Sequence, residues 1–540
     1  MKSSRLKSVK LALTSFFFPI ILVFISSSVF SQKSAQQAGN EVITPRLLQD
    51  YINFLASDSL KGRNTPSPGL DSAAEYLARN FRELGLKPLN GTFFQDLDYC
   101  IIHLGKENIL TIKSPGKNRE FALKTEFIPY EITADREVAG EVVFAGYGIT
   151  APEYDYDDYR NIDATGKIVL VLRQEPGQTD TASTLFMGKE LSKYANLKEK
   201  MKNAINHGAV GMVVVNGPLH FNSFRPRGYP WPSLSKTLPQ DALPMQYCGS
   251  TVEKIPIVHA GEEVIKTLFL SLDSLKRVQQ RIEFSHQPCS YPLAGKMATL
   301  KTSVNEIAMG GRNVYGYLEG EDPLLKNELL VIGAHYDHVG YMEKHKADAD
   351  YIFNGADDNA SGTGGVLATA KAFCAMGTKP RRSVLFILFA GEEKGLLGSA
   401  TYTRNPLFPL EQTVGMLNLD MISRNSPDSL YLIGQQQSPD MAKIVVEENK
   451  NTGFILVDEN HGEMGRGSDH YNFYRKGVPV IFFFTNLHDD YHEVTDNPDR
   501  IDAEKAAKVA RLVFLSAWRM ANESQRYNMI SSEEKEHSGE

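Results

Sequence analysis

From Asn313 onward, apolar runs alternate with stretches of helical period, and that alternation restricts the fold more than any other feature of the chain. The runs are "ELLVIGAHYD", "SVLFILFAGEE", "VGMLNLDM", "SLYLIG" and "VPVIFFFT", with helices predicted over Gly364–Met376, Asp440–Asn449 and Ala503–Met520. Near-continuous apolar strands are buried on both faces, so the pattern predicts a three-layer α/β/α domain on a mixed, largely parallel sheet. Ligands of such sheets bind outside the carboxyl ends of the strands.

Those ends carry the chemistry. His335, Asp337 and His338 close the first run, and Asp357 and Asp358 follow in "GADDNASGTGG". Glu392 and Glu393 close the second run, Asp420 the third, and His492 follows the last in "DDYHEVTDNPD". Unpaired titratable groups at buried strand ends cost several kcal/mol, about what a lost partner costs any buried polar group. Taken singly, each motif has a plain structural reading: a satisfied His–Asp pair, an Asp helix cap, acids at a helix start. Together they converge on one sheet edge. Two imidazoles with several carboxylates and no thiolate fit zinc or a similar divalent ion. A bridging carboxylate would let two ions sit about 3.5–4 Å apart. Asp357, Glu393, Asp420 and one hydroxide would balance the charge of two such ions.

A chain of 540 residues exceeds the roughly 250–300 at which one hydrophobic core stops growing, so at least two domains are expected. Helical spacing of Ala74, Leu77, Phe81 and Leu84 ends at Gly85 and Pro88, and short β-type runs fill the region from Glu137 to Ala298. Within that region, 217–245 is a loop rich in Pro, Gly and aromatic residues. The first 31 residues pair Lys2, Arg5, Lys7 and Lys10 with an apolar stretch from Leu11 to Ile25, and Val29 and Ser31 precede a cleavage position before Gln32. They read as a signal peptide, with an uncleaved membrane anchor as the alternative. Its removal would leave eleven net negative charges, which disfavours nucleic acid as a partner. The expected segments are therefore 1–31 signal peptide, 32–136, a β-rich 137–298, the α/β segment 299–522 and a frayed polar tail 523–540. Of the four cysteines, Cys248 and Cys289 form the candidate bridge, against free buried thiols.

The stretches "LASDSLKGRNTPSPG", "GAHYDHVG", "NGADDNASGTGG", "FAGEEKGLLGS", "LNLDM", "GSDH" and "YHEVTDNPD" resemble the co-catalytic zinc aminopeptidases of clan MH. The resemblance covers Val42–Asn90 and Asn313 to about Met520, and the β-rich insert is similar to a protease-associated (PA) domain. It implies that 32–136 is the first part of the catalytic domain, 137–298 an insert and 299–522 the catalytic core. It further implies two zinc ions: one held by His335, Asp357 and Asp420, the other by Asp357, Glu393 and His492. Glu392 becomes the general acid/base, Asp337 the carboxylate that orients His335, and Tyr491 a phenol facing the oxyanion. It also suggests a cis peptide between Asp357 and Asp358. Asp469 and His470 fall near the site as structural or substrate-contacting groups, while His338 has no role in the family and reads as a solvated loop residue. The implied activity is a secreted or periplasmic exopeptidase acting on peptides, most simply an aminopeptidase. It would have no stable membrane association after signal cleavage, and its oligomeric state is open. A carboxypeptidase or dipeptidase of the clan would need Arg424, Arg466 or Arg475 to hold a substrate carboxylate. A glutaminyl cyclase or a non-catalytic receptor would depart from the full ligand set.

Overall fold

The computed structural model describes residues 37–530 except 38, 179–185, 187, 189, 227–230, 232–242, 250 and 459–465. The signal segment, residues 531–540 and much of the aromatic loop at 217–245 therefore lie outside the described residues. Two compact units form: unit 1 from the chain up to Leu97 together with Gly310 onward, and unit 2 from Asp98–Met309.

Unit 1 begins with helices α1 (Pro45–Leu55) and α2 (Pro68–Glu83), each with proline in its first turn and a hydroxyl cap, Thr44 or Ser67, accepting a backbone N–H. Then follow β1 (Phe94–Asp96), β2 (Arg312–Leu318), β3 (Leu329–His335), α3 (Gly362–Ala375), β4 (Ser383–Phe389), α4 (Leu397–Arg404) and β5 (Thr413–Leu419). β6 (Ser429–Ile433), α5 (Pro439–Glu448), β7 (Ile455–Val457), α6 (His470–Tyr474), β8 (Val480–Phe484) and α7 (Ala503–Asn522) complete it. The strands form one sheet in the order β1-β2-β4-β3-β5-β8-β6-β7. The central four, β4, β3, β5 and β8, run parallel, and the flanks are antiparallel except for the β6–β7 pair.

Every residue of β3, β4 and β5 is buried, as the apolar runs require. Alternate side chains serve opposite layers. Leu385, Ile387 and Phe389 of β4 pack with Tyr402 of α4 and Phe473 of α6, whereas Phe386 meets Phe373 of α3, itself edge-on to Phe514 of α7. The three-layer α/β/α expectation holds.

Unit 2 is built on an eight-stranded mixed sheet, with a three-stranded sheet beside it. Its limits differ from the expected insert, falling at 98 and 309 instead of 137 and 298. The long strand Ser290–Thr302 pairs with both Ile109–Ser114 and Arg136–Ala145, which draws the residues before 137 into this sheet. The bridge also differs: Cys100 pairs with Cys248 across 148 residues, and Cys289 and Cys374 are free. Tyr99–Leu104 lies antiparallel to Met245–Tyr247, with Gln246 opposite Cys100, and this brings the two thiols together. Reduction, or C100A with C248A, is expected to destabilise unit 2 by up to about 5 kcal/mol, the loop-closure figure for so long a loop. Thermal unfolding with and without reductant measures it, and an unchanged midpoint would refute it.

The segment after Asn522 is not frayed over its described part. Arg382 donates to the carbonyl of Gln525, Arg526 pairs with Glu328 at 3.0 Å, and Tyr527 is buried.

Candidate metal centre

The four parallel strands deliver their side chains to one edge. His335 is the last residue of β3 and is paired in register with Phe389, so Glu392 and Glu393 emerge three and four residues beyond the same level of β4. Asp420 follows β5 directly, and the segment after β8 carries His488 and His492.

Two groups of ligand-type side chains result. His335, Asp358 and Asp420 form one, and His338, Asp358, Glu393 and His492 the other, each with donor atoms within 4.8 Å of one another. Asp358 is common to both. Its Oδ1 lies 3.3 Å from His335 Nε2, and its Oδ2 lies 3.1 Å from His492 Nε2. Asp420 Oδ1 approaches His335 Nε2 to 3.3 Å, and Glu393 Oε2 approaches His492 Nε2 to 3.0 Å.

The carboxylate common to both groups is thus Asp358, one residue after the Asp357 expected to be shared. Asp357 joins neither group; its Oδ1 accepts from the backbone N–H and hydroxyl of Ser423, and its Oδ2 faces His488 Nε2 at 3.3 Å. The backbone N–H groups of Asp357 and Asp358 both donate to Asp496, which winds the loop so that the two carboxylates point apart. The cis peptide is likewise one bond later, between Asp358 and Asn359. His338 is a second correction, because it is fully buried with Nδ1 2.9 Å from Glu393 Oε1.

The remaining expected residues surround these groups. Asp337 is buried, but its Oδ1 is 3.8 Å from His335 Nδ1, beyond hydrogen-bond reach. Instead Oδ1 accepts the backbone N–H of Glu392 at 3.1 Å and Oδ2 the hydroxyl of Thr65 at 3.0 Å. The backbone carbonyl of Asp337 meets His335 Nδ1 at 3.3 Å, so residue 337 orients the ring through its main chain. Tyr491 stacks on the His492 ring, centroids 3.9 Å apart, and is partly exposed. Asp469 is buried, with His470 beside it stacked on Phe482. Arg424 pairs with Asp490 at 2.6 Å, and Arg475 lies over the ring of Tyr471.

Two supporting residues had no assignment from sequence. The hydroxyl of Ser468 donates to Asp420 Oδ2 at 2.8 Å, leaving Oδ1 for His335. Arg63 is fully buried and donates to the carbonyls of Tyr336, Leu55, Asn354 and Gly355. Burial lowers its pKa to about 10, against the opposing pull of Asp337 and Asp358. A lone Arg in "KGRN" amid carboxylate-rich motifs was the available signal, but three of its four partners lie 273 to 292 residues away.

The donor set suits a metal. Burial would strip His335 of a proton, yet Asp420 and Glu392 hold its pKa well above the usual imidazole range. Against the same burial, Asp358 and Glu393 lift His492 to about 10. Burial raises the Asp358 carboxyl, but His338 and His335 more than offset it and hold it well below the usual range. The site thus draws in positive charge. His492 Nε2 has two carboxylate oxygens within 3.1 Å and yet no hydrogen bond of acceptable geometry to either. Three donor atoms that surround a common point without bonding one another are arranged as ligands. Glu392 belongs to neither group, and burial, reinforced by Asp469 and Asp420, pushes its carboxyl well above the usual range despite His335.

Residues 313–517 match the family model described as peptidase family M28. This part of the chain is an M28 peptidase domain. Residues 138–268 match the PA domain, so the sequence interrupting the M28 domain carries a PA domain as expected. The chain is 33% identical over 193 residues to leupeptin-inactivating enzyme 1 of Streptomyces exfoliatus, covering 36% of this chain and 40% of that protein. It is 27% identical over 214 residues to a probable leucine aminopeptidase of Arthroderma benhamiae, covering 37% and 56%. The chain therefore spans between two fifths and a little over half the length of these curated relatives. Among solved structures, the aminopeptidase from Aneurinibacillus sp. strain AM-1 aligns with 91% of this chain and 97% of its own at 21% identity and a TM-score of 0.46. BSAP, a zinc aminopeptidase from Bacillus subtilis, aligns with 91% and 98% at 19% identity and a TM-score of 0.43.

Proposed function

We propose that the protein is a zinc-dependent exopeptidase that removes N-terminal residues from peptides. The observation that carries this reading is the placement of Asp358, with one oxygen toward each of two donor groups, beside a protonatable Glu392 that belongs to neither. The five protein ligands are His335, Asp358, Asp420, Glu393 and His492, for two zinc ions per chain. Bound zinc supplies a Lewis acid and brings the pKa of water from 15.7 to about 7. Glu392 takes the proton of the attacking water and returns it to the leaving amine. Asp337 fixes the backbone of Glu392, and Tyr491 stands beside His492 at the partly exposed side of the site.

A carboxypeptidase or dipeptidase needs a cation for the substrate carboxylate. Of the three candidate arginines, Arg424 is engaged by Asp490 and lies 3.9 Å from Asp496, so it is not free for that task. Export, to the periplasm or beyond, is supported by the basic, then apolar start of the chain and by the Cys100–Cys248 bridge. No helix among the described residues is long and apolar enough to cross a membrane.

The test is hydrolysis of aminoacyl-4-nitroanilides and their N-acetylated counterparts. Cleavage of the free-amine series alone is expected, and silence on every anilide by zinc-loaded protein would shift the assignment to a carboxypeptidase or dipeptidase. Zinc affinity should rise with pH from neutral toward about 10, because protons on His335 and His492 must leave before the ring nitrogens can act as ligands. Chelator competition across that range measures this, and a flat profile would contradict it.

A further inference from the structure

Of the three imidazoles in the two donor groups, His338 alone has no task in the reaction above. We propose that it is a positioning residue that donates its Nδ1–H to Glu393 Oε1 and so leaves Oε2 as the single metal-facing oxygen of that carboxylate. This rests on the two-zinc reading of the site.

Nδ1 lies 2.9 Å from Glu393 Oε1 and 3.7 Å from Asp358 Oδ2. Unlike His492 Nε2 at a similar distance, His338 Nδ1 meets Glu393 Oε1 with hydrogen-bond geometry, and since an ionised carboxylate only accepts, Nδ1 is the donor. Nε2 is buried with no hydrogen-bond partner among the described residues, so Nδ1 is the ring's only polar anchor.

The ring is held from several sides. A Cβ on Gly355 would come within 2.6 Å of Cγ and Cδ2, and Gly355 has φ of 59°, so the residue against this face has to be glycine. Arg63 donates to the Gly355 carbonyl, while the carbonyl of Arg63 accepts the backbone N–H of His338, so one buried residue fixes both the wall and the ring. His492 stands edge-on at 5.5 Å, its Nε2 on the other oxygen of Glu393. One carboxylate oxygen is therefore hydrogen-bonded by His338 and the other faces His492. Freed of His338 the carboxylate could turn and offer either or both oxygens to a metal. Its loss should weaken the ion at Glu393 and His492 and spare the one at His335 and Asp420.

The experiment is a zinc titration of the metal-free full chain against a competing chelator dye, for wild type, H338A and H338N. Asn places its Nδ2–H where the imidazole Nδ1–H was. Wild type should fill two sites. H338A should weaken one step by about 10–100-fold and leave the other in place, the usual cost of losing an outer partner. H338N should recover most of the loss, and its metal-free form should melt near wild type, which carries the test if H338A does not fold. Equal weakening of both steps, no weakening, or an Asn variant no better than Ala would overturn the proposal. Wild-type protein that binds no zinc would instead overturn the two-zinc reading before any variant is compared.

Discussion

Glu392→Gln is expected to lower kcat by about 10²–10⁴-fold with zinc content unchanged, the usual loss when a positioned acid/base is removed. Gln fills the same space, and the hydrogen bond at this position that holds the loop comes from the backbone N–H to Asp337, which the substitution leaves alone. What disappears is a carboxyl that burial, with Asp469 and Asp420 nearby, has pushed up toward the range where it can both accept and donate a proton. Steady-state kinetics with metal analysis on the same preparation decide the matter. Activity near wild type would move the base elsewhere, with buried Asp469, pushed up to about 7 by burial, next in place. Loss of zinc together with activity would make Glu392 a ligand.

The second large effect separates neighbours. Asp358→Ala removes the carboxylate common to both donor groups and should weaken both zinc sites by more than the roughly 10–100-fold that losing an outer partner costs. Asp357→Asn should keep both ions, because Asp357 contacts Ser423 and His488 and joins neither group. It should still lower thermal stability by about 1–3 kcal/mol, since buried donors lose a charged acceptor. Zinc titration and melting of the two variants read these outcomes. The reverse pattern, with Asp357→Asn losing zinc and Asp358→Ala keeping it, would reinstate the sequence-based assignment.

What the sequence revealed follows from where each residue sits on its strand. His335, Glu393, Asp420 and His492 were legible because each ends or follows an apolar run, and a parallel sheet must bring such ends together. Asp357 and Asp358 are chemically identical neighbours, and only the backbone winding on Asp496 decides which one faces the site. His338 reads as solvated because it stands beyond a strand end, but the loop folds back under Arg63, whose partners Tyr336 and Gly355 are remote in sequence. The Cys100–Cys248 pairing hides for the same reason: it depends on strand neighbours 148 residues apart.

In the proposed centre, two zinc ions share Asp358. Anomalous diffraction at the zinc edge from crystals grown with zinc tests this most directly. Two peaks about 3.5–4 Å apart are expected, one beside His335 and Asp420 and the other beside Glu393 and His492, with Asp358 between them. A single peak, or a pair flanking Asp357, would contradict this arrangement.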